Sequence, residues 1–314
     1  MTGSPDTPLC VLIAGPTASG KSALALDLAE HLGGEIINAD SMQVYADLHV
    51  LSARPAVEDL RRCRHWHYGD VDGADAWSVG RWLVRVKAAL ADIHARGRIP
   101  IFVGGTGLYF RGLTEGISPI PDIPPEIRNG WRARMEREGP HRLHGLLARA
   151  DPAAAEAILK SDAQRILRAL EVCDATGVRM SEWRTRKGIP LVQPNNALRV
   201  FLDPDRCWLY ARINRRFDIM VDNGALGEVE ALTARGLSSE LPVMRAHGVP
   251  HLRAYLAGKM DILNAAERTK ADTRHYAKRQ KTWFRNQMDG WTALPTGDRA
   301  VRATDLLRLL PLDA

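Results

Sequence analysis

The sequence predicts an α/β fold, a parallel sheet flanked by helices and interrupted by an all-helical insertion. Three observations predict it. Short apolar runs alternate with segments of helical period, the pattern of a parallel sheet with crossover helices. The octet GPTASGKS (15–22) sits where the first apolar run meets the first helical segment. The long stretch between the runs at 99–105 and 198–203 is mostly of helical character.

Each element follows from local pattern. LCVLIAG (9–15) is a short apolar run ending in glycine and reads as a buried strand. Leu24, Leu28 and Leu32 recur at helical spacing, and Gly33-Gly34 stops that helix. EIINAD (35–40), IPIFVGG (99–105) and LRVFLD (198–203) read as the second, third and fourth strands. The proline-rich SPIPDIPPE (118–126) reads as an entry linker. The chain is therefore expected to comprise a catalytic core over 1–120 plus 196–314, ending in helices, and a helical insertion domain over 121–195.

Composition bounds the function. At 314 residues, with 45% hydrophobic and 25% charged residues, the chain has ample material for a globular core. No segment reaches the ~18 apolar residues that a membrane span needs, and MTGSPDTP at the start lacks the basic and apolar regions of a secretory signal. The four cysteines are scattered without metal-ligand spacing, which suits a reducing cytoplasm. A net charge of +6 permits a polyanionic partner.

GPTASGKS carries the pattern G-x-x-x-x-G-K-[ST] in the matching context, after a strand and before a helix. Gly15, Pro16, Thr17, Ala18, Ser19, Gly20, Lys21 and Ser22 are thus candidates to hold phosphate, and the core is expected to be P-loop NTPase-like. Backbone N–H groups would face phosphate oxygens, Lys21 adds a positive charge, and the Ser22 hydroxyl is a candidate ligand for Mg2+. The third strand, however, runs into Gly104, Gly105 and Thr106 without the carboxylate that an NTP hydrolase uses beside its metal. The second strand does end in one, Asp40, followed by Ser41, Met42 and Gln43. Local chemistry gives Asp40 two roles, helix N-cap or catalytic base.

Five segments in order, GPTASGKS, NADSMQVY, FVGGTGLY, QRILRALEV and YAKRQKTWFR, resemble the tRNA dimethylallyltransferase family from about residue 9 to 290. The resemblance implies that the loop holds the diphosphate of dimethylallyl diphosphate and that no ATP is consumed. The dimethylallyl group would pass to N6 of adenosine 37, the 3′ neighbour of the tRNA anticodon. Thr17, Lys21, the loop amides and Mg2+ at Ser22 would stabilise the departing diphosphate. Arg216 of RINRRFDIM matches the family arginine at that diphosphate, with Arg212 and Arg215 as rival candidates. Asp40 becomes the base, and Ser41, Met42 and Gln43 line the adenine pocket. Gln164, Arg165, Ile166, Leu167 and Arg168, together with Thr106, Arg128, Lys278, Arg279 and Trp283, fall in stretches that meet tRNA in the family. The implied partners are tRNA, through its anticodon stem-loop, and dimethylallyl diphosphate; no membrane or obligate protein partner is expected, and a monomer is the default.

Charge patterning supports the RNA side independently. Residues 268–285, RTKADTRHYAKRQKTWFR, hold seven Lys or Arg against one Asp. Arg274, Lys278, Lys281 and Arg285 make one helical stripe, suited to a phosphate backbone, with Tyr276, Gln280 and Trp283 on a neighbouring face. Two segments depart from the family pattern: VLSARP (50–55) replaces the usual IGTAKP, and HGVPH (247–251) lacks the usual aromatic, so no RNA contact is assigned there. RHWHYGDVDGADAWSV (64–79) fits no standard metal-ligand spacing and reads as structural or substrate-adjacent. Two other functions compete: a small-molecule P-loop kinase using ATP, which has no use for the basic stripe, and a non-catalytic RNA binder, which has no use for an intact Thr17, Lys21, Ser22 and Asp40.

Overall fold

The computed structural model describes residues 9–186, 188–296 and 303–309. The N-terminal MTGSPDTP and the end of the expected C-terminal helices lie outside the described residues. The chain divides into two compact units, one drawn from 1–114 and 191–314, the other spanning 115–190. The helical unit thus begins ahead of the proline-rich linker and ends five residues before the expected bound at 195.

Among the described residues the first unit is built on six parallel strands: β1 Cys10–Ala14, β2 Glu35–Asn38, β3 His65–Trp66, β4 Pro100–Gly104, β5 Ala197–Pro204 and β6 Thr292–Thr296. Their spatial order is β3-β2-β4-β1-β5-β6, with Leu12 opposite Phe102 on one side and Arg199 on the other. β1 is central and wholly buried, because successive side chains enter different cores. Leu12, Ala14, Ile37, Phe102 and Phe201 pack on one face, and Val11, Ile13, Ile36, Ile101 and Val200 on the other.

Two strands escaped the sequence pattern. β3 is only two half-buried residues, too short for any period to register. β6, TALPT, is a mostly exposed edge strand carrying Pro295, which an edge tolerates. The expected all-helical C-terminus is therefore corrected: a strand closes the sheet edge beside β5.

Helices in chain order are α1 Lys21–Leu32, α2 Val57–Arg62, α3 Val79–Ala95, α4 Gly107–Glu115, α5 Pro125–Ala150, α6 Pro152–Ala157, α7 Ala163–Thr176, α8 Met180–Thr185, α9 Arg206–Asp222, α10 Ala225–Ala234, α11 Val249–Leu256, α12 Ile262–Gln287 and α13 Ala303–Leu307. In the helical unit α5 kinks at Gly139, where φ is 74°, just before Pro140. Leu143 and Leu147 of α5 pack there against Ile166 and Leu170 of α7. No helix among the described residues is long and apolar enough to cross a membrane.

Candidate active site

In a parallel sheet with crossover helices, ligands meet the carboxyl ends of the strands. The sequence motifs converge there: β1 runs into the phosphate loop, β2 into Asp40, β4 into Gly104-Gly105-Thr106 and β5 into Asp203. Tight packing between these ends explains why β4 finishes in glycines. A Cβ on Gly104 would lie 2.0 Å from the Ala39 carbonyl oxygen, and one on Gly105 would lie 2.1 Å from Nε2 of Gln280. The space a metal-binding carboxylate would take at β4 is filled by the neighbouring backbone and by α12.

The loop has the geometry of an anion nest. Ala18 and Gly20 take positive φ, 63° and 94°, which curls the backbone between them. α1 then starts with no side-chain cap and no acidic residue in its first turn, so its leading N–H groups and positive dipole end remain available to an anion. Lys21 Nζ donates to the Pro16 carbonyl at 3.2 Å. Burial pushes the Lys21 amine down to about 8; the Asp40 carboxylate opposes that shift and Arg216 adds to it.

Opposite the loop, α9 supplies cations. A cleft of about 460 Å³ is lined by Ala18 to Ala23 together with Arg212, Arg215, Arg216 and Ile219. All three candidate arginines therefore face it, but in different ways. Arg212 Nε donates to the Ala18 carbonyl at 3.0 Å and its guanidinium lies over Trp208, so it supports the loop. Arg215 is exposed. Arg216 lines the cleft, and burial pushes its guanidinium down, with Asp40 opposing and Arg212 reinforcing.

Asp40 caps no helix, because the chain turns after it. Its Oδ1 accepts from the Met42 N–H at 2.9 Å, and its own N–H donates 2.8 Å to Oδ1 of Asn38. Asn38 is fully buried and also donates to the carbonyls of Asp40 and His67, while its own carbonyl accepts from Trp82. This side chain, unremarked in the sequence, fixes the backbone that presents Asp40. Ser41 is tied to Thr106, whose Oγ1 accepts from the Ser41 N–H at 3.0 Å. Gln43 donates to the carbonyls of Ser52 and Ala53, and Glu228 accepts from the N–H groups of Val50 and Leu51 at 2.8 and 2.9 Å, so the segment after Asp40 is anchored along its length.

The wall around Asp40 is richer than the sequence suggested. Burial raises the phenols of Tyr68, Tyr109 and Tyr276, and in each case the Asp40 carboxylate adds to the rise. His247 packs at a tilt against Tyr276, with ring centroids 4.7 Å apart and planes 44° from parallel. Burial lowers the His247 imidazole, Arg279 reinforces this, and Asp272 and Asp40 oppose it. His247 of the unassigned segment HGVPH and Tyr68 of segment 64–79 thus lie within electrostatic reach of Asp40. Elsewhere in 64–79, His65 and Trp66 form β3, and Trp66 Nε1 donates to Glu35 at 2.8 Å.

The basic stripe of α12 is largely committed. Arg274 donates to Asn214 at 2.7 Å, Lys281 pairs with Asp203 at 2.9 Å and Arg285 pairs with the same carboxylate at 2.7 Å. Burial pushes the Asp203 carboxyl up, but Arg285 and Lys281 outweigh it and hold it below the usual range. Three of the four stripe members thus have partners on α9 and β5 and anchor α12 there. Lys278 and Arg279 are exposed. Trp283 lies against Gly107, where an added Cβ would sit 2.0 Å from its ring.

In the helical unit, Gln164 and Arg165 are exposed at the start of α7, and the Asp162 side chain accepts from the Arg165 N–H as N-cap. Ile166 is fully buried and is corrected from an RNA-facing to a core residue, while Leu167 packs half-buried against the same core. Arg168 and Arg128 stand near the buried Glu171, whose carboxyl burial raises while Arg128, Arg168 and Arg132 oppose.

The chain matches two family models, IPP transferase over residues 43–287 and Isopentenyl transferase over 9–70. It is 52% identical over 303 residues to a tRNA dimethylallyltransferase of Azorhizobium caulinodans, covering 96% of this chain and 97% of that one. Identity to the tRNA dimethylallyltransferase of Mesorhizobium japonicum is 53% over 289 residues, covering 92% and 90%. Among solved structures, the full-length tRNA isopentenylpyrophosphate transferase of Bacillus halodurans matches with TM-score 0.68 at 32% identity, covering 96% and 94%. A eukaryotic dimethylallyltransferase acting on tRNA matches with TM-score 0.79 at 28% identity, covering 93% of this chain and 75% of that one.

Proposed function

We propose roles for the groups around this cleft from one premise: the chain belongs to the IPP transferase family and works as a tRNA dimethylallyltransferase. It moves a dimethylallyl group from dimethylallyl diphosphate to N6 of adenosine 37 in tRNA and releases diphosphate. The bond between the allylic carbon and the diphosphate oxygen breaks, a bond from N6 to that carbon forms, and N6 gives up a proton.

Charge grows on the departing diphosphate, so fixed donors aimed at it lower the barrier. The loop amides, the open start of α1, Lys21 and Arg216 supply that field. Arg212 contributes by holding the loop. Thr17, half-buried in the nest, gives the diphosphate its side chain, because its N–H is taken by Gln280. Ser22 is exposed and lines the cleft, so its hydroxyl would hold Mg2+ beside the diphosphate. When bound, that ion adds positive charge against the leaving group. Asp40 takes the N6 proton, and the fixed turn through Met42 holds the carboxylate for it.

The observation that carries this reading is that the Asp40 carboxylate, fixed in its turn by Asn38 and Met42, acts electrostatically on Lys21 and Arg216, which both line the phosphate-loop cleft. A leaving-group cradle and a proton acceptor thus lie within electrostatic reach of one another. The target adenine must leave its stack to reach them. Lys278, Arg279 and Trp283 in the first unit, and Gln164, Arg165, Arg168 and Arg128 in the helical unit, serve the anticodon stem-loop. The reaction belongs in the cytoplasm, in keeping with four cysteines scattered through the sequence without the spacing of a disulfide framework or a metal site.

Incubation of the protein with total tRNA and either prenyl-labelled dimethylallyl diphosphate or γ-labelled ATP tests the reaction. Label from the prenyl donor should appear on adenosine 37. Label from ATP, or from neither, would overturn the assignment.

A further inference from the structure

The side chain of Gln280 on α12 is buried at 5% exposure and bridges two strand ends that lie far from it in sequence. Its Oε1 accepts from the Thr17 N–H at 3.1 Å, and its Nε2 donates to the Gly105 carbonyl at 2.9 Å. The Thr17 N–H belongs to the same rigid peptide plane as the Pro16 carbonyl. That carbonyl accepts from Lys21 Nζ at 3.2 Å and from the Ser19 N–H at 3.3 Å. Gln280 therefore grips one edge of a plane whose opposite edge receives the loop lysine.

We propose that Gln280 is a positioning residue for diphosphate binding, acting through the Pro16–Thr17 peptide to set where Lys21 stands. The inference rests on the donor-loop reading above. Only a primary amide places an acceptor and a donor side by side in this way. A carboxylate would keep the bond to Thr17 and set oxygen against the Gly105 oxygen. An apolar side chain would leave a buried N–H and a buried carbonyl without partners. The glycine at 105 belongs to the same device, since its missing Cβ is what admits Nε2. The clamp also sits on the turn of α12 that carries Lys278 and Arg279, so the helix offered to RNA is the one that braces the loop.

The test compares wild type with Gln280→Met, Lys21→Met and the double variant, using inorganic diphosphate with Mg2+ in calorimetry and steady-state prenylation of an anticodon stem-loop. Gln280→Met should weaken diphosphate binding about 10-fold and lower kcat/KM for the prenyl donor at least as much, with KM for RNA within about twofold. In the Lys21→Met background the same change should add little, because the residue it acts through is gone. Gly105→Ala, which crowds Nε2 while leaving Gln280 in place, should reproduce the loss if Gln280→Met does not fold. Unchanged diphosphate binding in either variant, or a full additive loss in the double variant, would overturn the proposal. Failure of wild type itself to bind diphosphate would overturn the donor-loop reading along with it.

Discussion

The phosphate loop and helix α12 handle charge in opposite ways. The loop gathers little formal charge, one lysine in eight residues, and works by leaving backbone N–H groups unspent at a curled turn and an uncapped helix start. α12 carries many cations and spends several on its own fold, with Lys281 and Arg285 on Asp203 and Arg274 on Asn214. The difference teaches that charge available to a ligand is what remains after internal pairing. A count of basic residues overstates it on α12, and a count of charges understates it in the loop.

The sharpest way to separate the two regions is to remove the proton acceptor. Asp40→Ala should lower single-turnover prenylation by about 10³-fold, within the range of a lost general base and its electrostatic contribution. Affinity for tRNA, measured by filter binding, should stay within a few-fold. Equal transfer rates for variant and wild type would end the assignment of Asp40 as base.

Much of this division was legible before the structure. The phosphate loop announces itself because its chemistry is local: eight contiguous residues determine the nest. Asp40 was visible as a strand-end carboxylate but carried two roles, because the turn after it is held in part from afar, by Thr106 at the Ser41 N–H. The wall formed by Tyr68, Tyr109, Tyr276 and His247 was not legible, since it is assembled from four separated segments. Gln280 looked like one member of a helix face for the same reason: its partners lie 263 and 175 residues away. Strands β3 and β6 failed to register because a two-residue strand has no period and an exposed edge strand has no apolar face.

The loop's single cation gives the comparison a pH signature. With the Lys21 amine lowered to about 8, it is charged below that pH and loses its proton above it. The profile of kcat/KM for the prenyl donor, which reports the free enzyme, should fall on its alkaline side with a midpoint near 8. Lys21→Arg should move that limb above pH ~10, because a guanidinium keeps its proton throughout the range. A wild-type profile flat to pH ~10 would remove Lys21 from the donor field.

The smallest effects discriminate within α12 itself. Lys278 and Arg279 have side chains exposed to solvent, so replacing either with Ala should weaken RNA binding several-fold and reduce the slope of log K against log salt by about 1. Lys281 neutralises a carboxylate that burial has already made costly to charge, so Lys281→Ala leaves Asp203 with Arg285 alone. Its effect should appear as a lower Tm, with a salt slope equal to that of wild type. Because the two kinds of lysine sit less than one helical turn apart, the pair of measurements tests internal pairing rather than position along the helix. Equal slopes for Lys278→Ala and Lys281→Ala would show that the pairing with Asp203 opens when RNA arrives, and α12 would then present its whole stripe after all.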